Sequence, residues 1–164
     1  MGLQLPSGLV QVLQITGVSW PESDEVKLFE IARAWSGLAA DLPTLIDQAD
    51  RAAGTAWQSN SGAASAAYRQ TWLADHGPSP QLRLGTLGAE IIAAGLTVCA
   101  ATVLALKLSA AAQLAVLAMQ MSAAVATAVT TGGASLLAVP AWQYSTRLVL
   151  DQLLNQAIAA VLNE

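Results

Sequence analysis

The 164-residue sequence predicts an all-α fold, an elongated up-and-down helical bundle with a long Ala-rich central helix, and three observations carry that reading. Between Glu90 and Arg147 the only charged side chain is Lys107, and Ala, Leu, Val, Thr, Ser and Gly dominate the rest. Apolar residues recur at alternating three- and four-residue steps from 28 to 56, which is the period of a helix seam and not of a strand. Chain breakers concentrate in short clusters, Gln58-Ser59-Asn60-Ser61-Gly62, His76-Gly77-Pro78-Ser79-Pro80 and Gly132-Gly133, and these mark the turns.

Composition bounds the function. Hydrophobic residues reach 54% and charged residues only 11%, against roughly 25% charged in an ordinary globular domain. A surface that poor in charge calls for a partner, an oligomer or a lipid phase. The net charge is -4, and the seven Lys and Arg are scattered singly along the chain. With no basic patch, nucleic acid is not an expected partner. The single cysteine, Cys99, lies inside the apolar run and has no second thiol to pair with.

The elements follow in order, within a single helical domain. Residues 1–18 form an N-terminal arm whose apolar segment 9–15 is broken by Gly17. No positive side chain precedes that segment, so no Sec signal peptide is expected. Residues 19–75 read as a helical hairpin, opened by Ser19-Trp20-Pro21-Glu22 as a capping box. Glu22, Asp24, Glu25 and Glu30 read as a solvated helix face. The helix–helix seam runs through Leu28, Ile31, Trp35, Leu38, Leu42 and Leu45, and continues in Ala49, Ala52 and Ala56. Pro43 interrupts one backbone hydrogen bond, but the period continues past it. Trp57, Asn60 and Gly62 shape the hairpin turn, with Asn60 or Ser61 as the next N-cap, and Tyr68 and Trp72 then share a helix face. A long apolar helix fills residues 81–131; the stretch 96–131 has neither Pro nor Gly and would alone reach about 54 Å. Pro140 opens a C-terminal amphipathic helix, residues 140–164, with Leu150, Leu154, Ala157 and Val161 on its stripe.

The apolar helix has two readings. Residues 108–129 are long enough to span a bilayer, and 91–106 would do so if tilted. Lys107 stands between them without a turn residue to make a hairpin, and at a bilayer centre it would cost roughly 2.5–3.5 kcal/mol. Gln113, Gln120 and Thr127 add a polar stripe of period seven. Burial in water is the preferred reading, with Lys107 reaching solvent by extending its stem. Lys107 is also the residue that would switch the helix between water and membrane.

The chemistry-bearing residues form no catalytic constellation. His76, the only histidine, sits beside Asp75 in the Pro-Gly loop. No Gly-Xaa-Ser-Xaa-Gly elbow occurs, and one His with one Cys supplies no metal site. Gly85-Thr86-Leu87-Gly88 lacks the full phosphate-binding motif and a preceding strand. Catalytic, cofactor-binding and metal residues are therefore all expected to be absent, and Glu90 reads as a helix-end charge.

Two sets of residues carry a family resemblance. Trp57, a turn containing Gly62, and Ala63-Ala64-Ser65-Ala66-Ala67-Tyr68 resemble the Trp-Xaa-Gly hairpin of small helical proteins secreted by the actinobacterial type VII (ESX) system, with four residues instead of one between Trp and Gly. A wider match runs through Leu5-Pro6-Ser7-Gly8-Leu9, Val12-Leu13, Trp20-Pro21-Glu22, Asp24-Glu25, Lys27-Leu28-Phe29, Trp35, Trp57, Asn60-Ser61-Gly62 and Ala94-Gly95-Leu96-Thr97-Val98-Cys99. It resembles the Trp-Xaa-Gly-like N-terminal domain of type VII secreted polymorphic toxins, the group that includes the mycobacterial outer-membrane channel and necrotizing toxin. The resemblance implies a non-enzymatic secretion-targeting and protein-interaction domain, acting with the type VII machinery as a homo-oligomer or as a heteromer with a small Trp-Xaa-Gly-type helical protein. It implies a secreted or cell-envelope location, and the alternative function of a membrane-inserting or pore-forming channel module. The Tyr-Xaa-Xaa-Xaa-Asp/Glu secretion signal is not met: four residues after Tyr68 stands Trp72, and four after Tyr144 stands Leu148.

Overall fold

The computed structural model describes residues 2–162. Among them the regular structure is entirely helical, as the apolar periodicity predicts: α1 (Ser7–Thr16), α2 (Glu25–Gln58), α3 (Ala63–Leu73), α4 (Pro78–Thr127) and α5 (Val139–Leu162), with a short 3-10 helix (Ala134–Ala138) before α5. Asn163 and Glu164, the last residues of the expected C-terminal helix, lie outside the described residues.

Local chemistry sets each boundary, and several differ from the sequence reading. α2 starts at Glu25 and not after Ser19, because Asp24 provides the cap: its carboxylate accepts the Lys27 N–H at 3.2 Å and its carbonyl accepts the Leu28 N–H. Pro43 lies inside α2 without ending it. Gly62, at φ +103°, takes the cap position of α3 with no side-chain cap, while Asn60 turns back to donate to the Ala56 carbonyl at 2.7 Å. α4 starts four residues before Leu82, since Pro78 and Pro80 fall in the first turn, where the missing N–H groups have no helical partner to lose. Gly77 is required ahead of it, because a Cβ there would strike the carbonyl oxygens of Thr71, Trp72 and Ala74. Gly132 and Gly133, both at positive φ, follow the end of α4.

The helices build two compact units, one from the segments up to Leu28 and from Val98 onward, the other from Phe29–Thr97. In the first, Leu13, Ala110, Leu114 and Leu150 form a core ringed by Leu5, Leu9, Val12, Val18, Trp20 and Leu153. α5 packs there against α1 and the 3-10 helix. Burying each such Leu contributes about 1.5–3 kcal/mol. Of the stripe predicted for α5, Leu150 is buried and Ala157 half-buried, whereas Leu154 and Val161 are exposed.

The second unit selects small residues for its interior. Along α2 the buried column is Ala32, Ala39, Ile46 and Ala53, spaced by seven. Trp35 and Leu42 of the expected seam are half-buried beside it, and Leu28, in the first unit, is half-buried as well. Ile31, Leu38 and Leu45 lie one position off the buried column and are 47%, 43% and 55% exposed. Alanine brings helix backbones closer together than Leu or Ile allows, so the tight contact goes to the small column and the bulky one faces outward.

Candidate functional site

α4 is apolar on two sides. Its inward stripe is Ala89, Ala93, Ala100, Lys107, Ala110, Leu114, Leu117 and Ala124, all buried. Leu84, Leu87 and Ile91 remain 58%, 52% and 63% exposed. Ile91 and Ala93 are two residues apart, roughly 200° around the helix, so an outward apolar face stands opposite the inward one. Leu108, Val116, Met119 and Val125 are likewise exposed further along. The segment Ala63–Thr127 contains an 18-residue window of mean hydropathy 2.1, only 17% of it buried, and is long and apolar enough to cross a membrane.

Lys107 is not a snorkelling residue. Its side chain is enclosed, and Nζ lies 2.8 Å from Glu25 Oε2 and donates to the Ser23 carbonyl at 2.6 Å. Glu25, expected on a solvated face, is equally buried and accepts a further hydrogen bond from the Leu3 N–H. Burial alone would raise the Glu25 carboxyl; the Lys107 and Leu3 donors outweigh it and hold the group down at about 2. The pair ties the start of α2 to the middle of α4. Sequence reasoning missed Glu25 because neighbouring acids disguise it. A single cation in an otherwise apolar stretch is the signal that a buried acid has to exist elsewhere.

At the hairpin, Trp57 is half-buried with its ring 5.8 Å from Tyr68, which lies 6.1 Å from Trp72. Ser65 Oγ donates to the Trp57 and Asn60 carbonyls, closing the turn before which α2 ends. Trp57, Asn60 and Gly62 thus come together as one local turn. Asp50, another residue the pattern did not single out, accepts from the Trp72 indole at 2.9 Å and from Arg83 at 2.7 Å. Those donors, with Ser79, hold its carboxyl below the usual range. One carboxylate therefore connects α2, α3 and α4. His76 and Glu90 are exposed, and Cys99 is a half-buried free thiol.

The described residues contain no cluster of three or more His, Cys, Asp or Glu able to hold a metal ion. What the geometry offers instead is exposed apolar helix faces on a chain fastened by ionic ties. No curated protein and no solved structure matches the chain. A family model described as a WXG100 like domain matches residues 6–148. That span holds α1 through the start of α5, including the hairpin turn, the Glu25–Lys107 pair and all of α4. The chain belongs to the family of WXG100-like domains, non-enzymatic helical modules.

Proposed function

We propose that this WXG100-like domain is the secretion-targeting and partner-docking module of a type VII (ESX) effector or polymorphic toxin. Its partner is a second copy or a small Trp-Xaa-Gly-type helical protein, and it acts in the secreted or cell-envelope compartment. The carrying observation is the outward apolar face of Leu84, Leu87 and Ile91, on a helix whose opposite side is already packed. Contiguous exposed apolar surface of this kind marks interaction sites, and the three- and four-residue steps match the ridges of another helix. Ile31, Leu38 and Leu45 supply a second outward column at heptad spacing. On this reading, half of the predicted seam serves a partner and not the chain itself. Family membership supports the secretion link.

Light scattering of the chain at micromolar concentration, alone and mixed with a purified small Trp-Xaa-Gly-type protein, tests the proposal. The expected result is a mass above the monomer in one of the two samples, lost in Ile91→Glu. A monomer in both would overturn the reading.

A second reading, a membrane-inserting or channel module, is favoured by the long apolar helix with its largely unburied window. Flotation with neutral liposomes separates the two. The docking reading expects the wild-type chain to stay in the aqueous fraction with a strongly helical circular-dichroism spectrum, and spontaneous flotation would favour insertion.

A further inference from the structure

Residues 2–5 have no regular secondary structure, yet they lie against the buried Glu25–Lys107 pair. Leu3 is tethered through both backbone groups: its N–H donates to Glu25, and its carbonyl accepts the Trp20 indole N–H at 3.3 Å. Leu5 packs against the core of Leu13 and Leu114. Gly2 lies so close to the Glu25 carboxylate that a Cβ there would overlap Oε2. Beside this segment a cleft of about 240 Å³ runs along Trp20, Glu22 and Asp24 and reaches Lys107. The ion pair itself is anchored by α2 and α4, whereas its cover is a short extended piece of chain that can leave without breaking a helix.

We infer that residues 2–5 are a displaceable strap controlling solvent access to the Glu25–Lys107 pair, and that lifting the strap is the opening step of the unit containing α1 and α5. With the strap seated, Glu25 has the Leu3 donor and both charges are closed off. With it lifted, Glu25 loses that donor and water enters along the cleft to the ammonium. The tie between α2 and the middle of α4 then becomes a hydrated, weakened pair. The inference concerns the chain's own conformational control and stands whether or not the outward apolar face docks a partner.

Site-resolved acetylation of the full chain with a water-soluble N-hydroxysuccinimide ester, read by mass spectrometry, tests it. Lys27 is exposed and serves as the internal standard. In the wild type Lys107 should react about tenfold or more slowly than Lys27, as expected of a group reached only by local opening. A Cβ at Gly2 overlaps the Glu25 carboxylate, so Gly2→Val should displace the strap and bring Lys107 close to the Lys27 rate with an unchanged helical spectrum. Equal labelling of the two lysines in the wild type, or a Lys107 still protected in Gly2→Val, would overturn the inference. Should Gly2→Val lose helicity, Trp20→Phe decides: it keeps an aromatic ring beside the core and removes the indole N–H that tethers Leu3. Lys107 labelling should then rise several-fold, and no rise counts against the strap.

Discussion

Lys107 and Glu25 show how far a single buried contact can redirect the reading of a residue. From the sequence, a lone lysine in an apolar helix is best accommodated by reaching for solvent, so Lys107→Leu is expected to be tolerated. The structure overturns that expectation, because Lys107 is 2% exposed and removing it would strand the Glu25 carboxylate. Breaking a buried pair from one side costs about 3–5 kcal/mol, so Lys107→Leu and Glu25→Gln should each destabilise by that order. Replacing both with Leu should recover most of the loss, since no uncompensated charge remains. Urea denaturation of the four proteins checks this, and a double variant no better than either single would refute the pairing. The same carboxylate makes an acid prediction. Its folded-state value, about 2, lies below the ordinary 4.5, so its stabilisation is complete above that ordinary value. It drains away as pH falls toward the folded value. Thermal unfolding between pH 5 and 2 should show this decline in the wild type, and Glu25→Gln should remove that component of it.

The helices themselves were legible to different depths. α2 announces itself through periodicity, and Leu28, Trp35 and Leu42 of the expected seam are half-buried. Ile31, Leu38 and Leu45 are exposed, because periodicity weights Leu and Ile while close helix packing rewards Ala. Ile46→Ala should therefore cost about 2–5 kcal/mol as a core truncation. Leu45→Ala, at the neighbouring exposed position, should stay within about 0.5 kcal/mol in the isolated chain. Calorimetric melting of the two variants compares the columns directly, and equal losses would mean that Leu45 packs inside. Trp57→Ala belongs to this scale too. A fully buried Trp would cost about 3–5 kcal/mol, and the half-burial of Trp57 against Tyr68 places the expected loss at or below the lower limit. An unchanged melting temperature would remove the physical basis of the turn. The caps were harder to read, since Ser19-Trp20-Pro21-Glu22 matches a start motif while the working cap is Asp24.

For the molecule as a whole, the apolar faces that remain after folding decide what the chain needs from outside. Leu87→Glu and Ile91→Glu should leave the isolated fold intact and abolish association, which circular dichroism and light scattering together would establish; association surviving both changes would move the docking face elsewhere. The all-α class, the turn near Gly62 and the long apolar helix all follow from residue types and their period. These properties are local, set by propensity, breakers and composition, and each is written within a few turns of chain. Which face of α2 turns inward, which acid neutralises Lys107 and which carboxylate joins α2, α3 and α4 are settled only by tertiary packing. Glu25 and Lys107 are 82 residues apart, and Asp50 and Arg83 are 33 apart. No local pattern specifies such partners, because their pairing depends on how closely small side chains let the helices approach and on the need to neutralise whatever charge that approach encloses.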